Sequence, residues 1–397
     1  MKILFVCHRL PFPPNRGGKI RPFHMIQHLS QKHEVVVASL AETEQELRDG
    51  AGLTEHCTEV LVEVLPRSVR WRQACAALLT NEPSSVAYFR SAALHRKIQD
   101  KLREQPFDLA MVHCAFVAQY VAGWEGGLRV LDYGDLDSGK WAEYGAHRAF
   151  PLSLGYRLEA AKLRRYEQQL ASRFHQCTVT TQGELDLYAS LGSSTPCRVI
   201  PNGVDASYFS RPMQGPHTST VIAFLGRMDY YPNIDGILYF AQDIFPIIKK
   251  TIPLAQLRII GSNPSSKVRD LGRIEGITVT GHVPDVRPYL ADAAVTIAPL
   301  RIARGTQNKI LESMAMGIPV VSTPQAAKGI QAVPGAHLLV ADGPAAFAEQ
   351  VIKALQEPEL RKTLSGEARK QVERMHHWPA SLKILDEVLA AMLPTPT

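Results

Sequence analysis

The chain has 397 residues, too many for one ordinary domain and enough for two of roughly 150–200 residues each. Hydrophobic residues at 45% and charged residues at 21% are globular values, and a net charge of +6 suits an anionic small molecule or a membrane surface as well as a nucleic acid. No Lys/Arg block is present, which sets nucleic acid aside, and six scattered cysteines without a CxxC pair exclude a disulfide scaffold and fit reduced thiols in a cytosolic protein.

KILFVCH opens the chain as an apolar, strand-like run. The apolar part of MKILFVCHRLPFPP is only about six residues long and no small-residue cleavage site follows, so it does not read as a signal peptide. A helix-like stretch, Arg21 to Gln31, leads to HEVVVASL, and the strand-like runs VLVEVLP, DLAMVHC, RVLDYGD and CTVTTQ come after it. Leu109 to Trp124 is the longest apolar segment. His113, Gln119 and Tyr120 break it, and it falls short of the roughly 18–20 residues of a membrane span. CRVIPNGVDASYF and the polar stretch RPMQGPHTS mark a boundary near residues 198–218. A second series follows: TVIAFLG, LAQLRIIG, GITVTGHV, AVTIAPL, IPVVST and HLLVAD, with helical patterns between. One more apolar helix, Ser381 to Leu393, lies outside that series. Alternating strands and helices, with strands apolar throughout, predict an α/β chain of two doubly wound, Rossmann-like domains, residues 1–197 and 198–377, facing a cleft. Ligands in such sheets bind at the carboxyl ends of the strands.

Five stretches carry residues suited to chemistry. In PFPPNRGGKIRPF, Gly17 and Gly18 let backbone approach a ligand ahead of a helix N-terminus that favours an anion, with Arg21 nearby; the alternative is a tight turn with basic residues facing water. In AFLGRMDYYPNIDG, Gly226 ends a strand and Arg227 offers a forked donor for phosphate, the alternative being a surface salt bridge. In APLRIARGTQNKILESMAMGIPVV, Arg301, Arg304 and Lys309 stand just before or within the first turn of a helix. They oppose the helix dipole unless an anion is bound. Glu312 lies one turn beyond Asn308 and suits the hydroxyls of a ribose; the alternative is an i, i+3 ion pair of Lys309 with Glu312. His113 closes the apolar strand of FDLAMVHCAF, as a catalytic group or a satisfied structural histidine. Asp135 and Asp137 in LDYGDLDSGKW form a DxD, which reads as a metal site or, preferably, as capping and turn-making acids.

These residues resemble a known family. The Gly-Gly loop, HEVVVASL, VIPNGVDASYF, the GR turn at 226–227 and GTQNKILESMAMGIPVV followed by VVST look like a retaining glycosyltransferase of family 4, with the two-domain GT-B fold. PLRIARGTQNK and LDYGDLDSGKW also resemble the subgroup associated with exosortase-type export systems of bacteria. The resemblance implies that Arg227 meets the donor pyrophosphate and that backbone around Gly281 and Val283 meets the base. Glu312, second acid of an E-x7-E pair, would hold the ribose, within a donor loop of Arg304, Gly305, Thr306, Gln307 and Asn308. His113 would bond a sugar hydroxyl, Gly17, Gly18 and Arg21 would form the acceptor and phosphate loop, and the helix from Trp378 (378–397) would cross back to the first domain. Members of the fold generally need no bound metal, and no cofactor is expected beyond the nucleotide-sugar substrate.

Two positions depart from the family. Its first acid is Arg304 here, and the Lys usually found six residues after the Arg is Asn233. The expectation is that Arg304 or Lys309 replaces the missing cation at the pyrophosphate. The implied reaction is retaining transfer of a sugar from a nucleotide-diphosphate sugar to a hydroxyl, with Arg227, Lys309 and the helix N-terminus stabilising the leaving diphosphate. A lipid-linked glycan of exopolysaccharide or cell-surface synthesis is the expected acceptor. The rivals are a nucleotide-sugar epimerase and a non-catalytic binding scaffold. RSVRWRQACAALL and YRLEAAKLRRYEQQLASRF fit either docking on an anionic inner leaflet from the cytoplasmic side or two solvated helices packed on the sheet.

Overall fold

The computed structural model describes residues 1–210 and 219–393, so most of RPMQGPHTS lies outside the described residues. The chain divides into two compact units, Met1–Ile200 joined by the residues from Leu382 onward, and Pro201–Ser381.

The first unit is built on β1 (Lys2–Cys7), β2 (Glu34–Ala41), β3 (Glu59–Val64), β4 (Leu109–His113), β5 (Leu128–Gly134), β6 (Gln176–Val179) and β7 (Cys197–Val199). They form one parallel sheet in the order β3-β2-β1-β4-β5-β6-β7. The second unit pairs β8 (Val221–Leu225), β9 (Gln256–Ile260), β10 (Ile277–Gly281), β11 (Val295–Ala298), β12 (Val320–Ser322) and β13 (Leu339–Val340), again parallel, in the order β10-β9-β8-β11-β12-β13. These are two Rossmann-like domains, as the alternation of runs predicts.

Continuous apolar strands follow from burial on both faces. Ile3 to Cys7 and Leu109 to Val112 have no exposed surface, and helices cover them on each side. In the second unit Phe224, Phe240, Phe245 and Phe347 meet in one core, where each buried ring contributes roughly 1.5–3 kcal/mol of transfer free energy. The first helix runs Gly17–Leu29 rather than from Arg21, so the paired glycines are its opening residues. The last helix begins at Trp378, and its Asp386 accepts from His28 at 2.8 Å and Lys32 at 3.0 Å of that first helix.

In each sheet the strand order reverses at one place, between β1 and β4 and between β8 and β11. Loops leaving the two strands there run to opposite faces and open a crevice at the carboxyl edge. That topology decides where side chains from distant stretches meet.

Candidate functional site

In the first unit, register sets Cys7 of β1, His113 of β4 and Asp132 of β5 side by side. Asp132 has no exposed surface, so its charge must be neutralised by neighbours. Its carboxylate accepts from Arg21 Nε at 2.9 Å, Arg21 Nη2 at 2.7 Å, Thr178 Oγ1 at 2.7 Å and His113 Nδ1 at 2.7 Å. Burial alone would raise the carboxyl pKa; the Arg21 guanidinium and the His113 bond overcome it and hold Asp132 far below the usual range. An ionised carboxylate only accepts, so His113 carries its proton on Nδ1 and keeps Nε2 for a ligand.

Arg21, expected in the phosphate loop, is thus engaged by Asp132. It is 3% exposed, and its remaining nitrogen, Nη1, donates to the carbonyl of Ile200 at 2.8 Å. Burial of the first helix on the sheet turns this side chain inward. Gly17 faces open space, and a methyl group on Gly18 would meet His8 Nε2 at 3.5 Å. The loop's other cations do not face water freely either, since Arg16 and Lys19 both pair with Glu46. His8, just beyond β1, lies 5.7 Å ring to ring from His113, and its buried Nδ1 has no hydrogen-bond partner among the described residues. Burial, then the charge of Arg9, keep it neutral. The residue after His113, Cys114, holds φ at +81°, a conformation costly for a residue with a side chain and often found beside functional groups. Asp135 accepts from Thr180 at 2.5 Å, and Asp137 opens the helix Asp137–His147 with Lys140 3.4 Å away, so both acids of the DxD serve local structure.

In the second unit, the loop after β8 meets the helix Asn308–Ala315 that follows β11. A Cβ on Gly261 would lie 1.7 Å from the Gly226 carbonyl oxygen, so glycine at 261 lets the chain past and fixes the turn. Arg227 is half-exposed and forks onto Asp229, at 3.1 Å from Nε and 2.6 Å from Nη2. The salt bridge weighed for this residue is thus present, and a phosphate would have to share or displace Asp229. Asn233, in the helix Tyr231–Tyr239, donates to the Arg227 carbonyl at 2.9 Å and accepts from Lys309 Nζ at 2.5 Å. Lys309 also sits 4.6 Å above the Phe224 ring, and a methyl group on Gly226 would come within 3.2 Å of its Nζ. Gly226, Arg227, Asn233 and Lys309 thus form one contact group.

Lys309 and Glu312 do not form the ion pair weighed for them. Burial lowers Lys309 to about 7 and raises Glu312 to about 7, and each is held back from a larger shift by the other's charge. Thr306 Oγ1 and Asn308 Oδ1 are buried beside them and lack hydrogen-bond partners among the described residues. Buried polar atoms of this kind are rare in a finished core and common where a ligand completes the bonding. Gln307 donates to the Arg304 carbonyl at 3.0 Å. Gly305 adopts φ +61°, and a Cβ on Gly329 would come within 2.0 Å of its carbonyl oxygen, so residue 329 clamps the loop. Arg301 is turned away: it pairs with Asp235 at 2.5 Å and lies over Tyr239. The local excess of positive charge is thus smaller than the sequence implied.

Gly281, with φ +72°, ends β10, the edge strand two places from β8, and Val283 packs on the apolar cluster of Val221 and Leu290. The open depression of about 620 Å³ beside Gly281 is lined by Arg269 and Arg273, and none of Arg227, Lys309 or Glu312 borders it.

Residues 219–357, all in the second unit, match the family model of group 1 glycosyl transferases. No curated protein matches the chain in sequence. Among solved structures, the sucrose-phosphate synthase of Thermosynechococcus elongatus is similar at 17% identity, covering 99% of each chain with a TM-score of 0.71. Anabaena HepE in complex with UDP is similar at 15% identity, covering 99% of this chain and 100% of its own, TM-score 0.71; it has also been solved with UDP-glucose. A mutant of S. aureus TarM, solved with Fondaparinux, alpha-GlcNAc-glycerol and UDP, is similar at 11% identity, covering 98% of this chain and 99% of its own, with a TM-score of 0.68. The chain shares the GT-B fold with these proteins.

Proposed function

We propose that the chain transfers a sugar from a nucleotide-diphosphate sugar to an acceptor hydroxyl, with retention at the anomeric carbon and without a bound metal. The observation that carries this reading is the contact group of Gly226, Arg227, Asn233 and Lys309 beside the unfilled bonds of Thr306 and Asn308. The bond from the anomeric carbon to the diphosphate breaks, a bond to the acceptor oxygen forms, and nucleoside diphosphate and a proton leave. Charge grows on the diphosphate, where Lys309, Arg227 and the helix N-terminus would stabilise it. Glu312 would hold the ribose. Backbone near Gly281 and Val283 would hold the base, and His113 Nε2 would accept from a sugar hydroxyl. Gly17 and Gly18 would admit the acceptor, read as a lipid-linked glycan of cell-surface or exopolysaccharide synthesis at the cytoplasmic face. Lys309 takes over the cation that Asn233 lacks, because Asn233 delivers its Nζ to the same corner.

The test is thermal unfolding with UDP, GDP, ADP, dTDP and CMP, UDP first because HepE and TarM bind it. At about 100 times its dissociation constant a true ligand adds about 2.7 kcal/mol. One responder names the donor class, and a flat panel favours the non-catalytic scaffold that Arg304 suggests.

The same binding has a predicted pH dependence. Diphosphate prefers protonated Lys309, so bound Lys309 has a higher pKa than about 7, and affinity falls as pH rises from there. Ribose prefers ionised Glu312, so its bound pKa lies below about 7, and affinity also falls as pH drops from there. Calorimetric titration should find tightest binding near neutrality, with Lys309→Arg flattening the alkaline limb and Glu312→Gln the acid limb.

A further inference from the structure

Within residues 1–200, every exposed large hydrophobic side chain lies on two neighbouring segments. Trp71, Leu78 and Leu79 belong to the helix Arg67–Ala77 and its end, where Leu79 is 94% exposed. Phe150, 80% exposed, lies just before the helix Leu152–Ala171, and Leu152, Leu154 and Leu158 lie in its first two turns. The segments are joined. Lys162 Nζ donates to the carbonyls of Ala77 and Leu78 at 3.1 and 3.3 Å, and Glu159 accepts from the backbone of Ser84 and Ser85 at 3.0 and 2.8 Å. Leu158 is one turn before Lys162, so the two sets of apolar side chains share one surface.

The two helices expose charges of one sign. Both carboxylates of the helix Leu152–Ala171, Glu159 and Glu167, are buried, whereas Arg157, Arg164 and Arg165 are exposed. Helical spacing puts Leu154, Arg157, Leu158 and Arg165 on one stripe. The helix Arg67–Ala77 has no carboxylate and exposes Arg67 and Arg72. Among the described residues Arg67, Arg72, Arg157 and Arg165 enter no ion pair. Exposed Leu, Phe and Trp interspersed with unpaired Arg form an interfacial pattern, in which rings and aliphatic chains enter the acyl boundary and cations meet anionic headgroups. A second copy of the chain fits less well, since a two-fold contact would set these Arg residues against themselves. No described helix is long and apolar enough to cross a membrane, so the contact would lie in the surface plane.

We propose that this face docks the chain on an anionic lipid bilayer through Leu78, Leu79, Phe150, Leu154 and Leu158, ringed by Arg67, Arg72, Arg157 and Arg165. The assignment is independent of the donor site, so either can fail without the other.

The test is sedimentation of the purified chain with vesicles of phosphatidylcholine alone or with roughly one-third phosphatidylglycerol. The expected result is pelleting with the anionic vesicles only, weakened by salt. Arg157→Ala with Arg165→Ala should lower partitioning about 25-fold, roughly fivefold per arginine. Leu79→Glu with Phe150→Glu should abolish pelleting while the melting temperature and its response to nucleotide stay unchanged. No pelleting at low salt, or pelleting unaffected by both double variants, would overturn the proposal. So would analytical ultracentrifugation showing a dimer that Leu79→Glu with Phe150→Glu dissociates, because the face would then be a contact between copies.

Discussion

Lys309→Ala is expected to lower donor turnover about 10²- to 10³-fold, the usual effect of removing one preorganised group that stabilises developing negative charge. The fold should not suffer. Lys309 is held at a pKa of about 7 because burial penalises its charged form, so the unliganded protein gains little from that charge. The melting temperature of the free variant should match the parent or exceed it, while the nucleotide-induced rise shrinks. Loss of the Lys309 charge also removes what restrains Glu312, so the acid limb of nucleotide binding should move to higher pH. The decisive variant is Lys309→Ala combined with Asn233→Lys. Asn233 Oδ1 and Lys309 Nζ are 2.5 Å apart, so an ammonium from position 233 reaches the same corner. Recovery of at least tenfold in turnover would establish that the two positions share one task. A double variant as inactive as the single one would mean that Lys309 acts by some other route, and unchanged turnover in Lys309→Ala would remove it from the site.

Asp132→Asn is expected to cost about 3–5 kcal/mol, because it leaves the Arg21 guanidinium buried without its counter-charge. For a unit of this size that is a fall of roughly 6–20 °C in melting temperature. The pH sign is fixed by the carboxyl shift. The folded pKa lies far below the unfolded value, so the stabilisation is fully present above about pH 4 and is lost as pH falls through and below that value. Acid unfolding of the parent should therefore be steep below pH ~4, and that part of the transition should be missing in the variant. In the proposed reaction Asp132 would be a positioning residue, acting through His113. Asp132→Asn can also present its amide to Nδ1, which drives the imidazole proton to Nε2 and removes the acceptor proposed for the sugar hydroxyl. Turnover should fall at temperatures where the variant remains folded, with little change in nucleotide affinity. Parallel losses of both would point to a purely structural role.

Much of this protein was legible in its sequence, for a physical reason. A strand covered on both faces must be apolar throughout, so runs such as KILFVC and VIAFL announce parallel sheets without any knowledge of their partners. The stretch from Arg304 to Glu312 stood out for a local reason: a Gly-containing loop, misplaced cations and a following helix conflict unless an anion is present. Partner choice was not legible, because it depends on strand order. Arg21 sits in a basic loop by sequence, yet the adjacency of β4 and β5 sets it against Asp132, 111 residues away. Asp132 itself left one trace, an acid inside an apolar strand that some cation had to neutralise. The sequence by itself determined two Rossmann-like domains, their strands apart from β7, which it read as a boundary, and the loops that end at the carboxyl edges. Only the tertiary structure decided that Arg21 and Arg301 are occupied by carboxylates, that Lys309 shares a corner with Asn233, and that both acids of a basic helix face inward. Periodicity records which residues leave water, whereas charge neutralisation in a low-dielectric interior is settled by whatever the folded topology brings within reach.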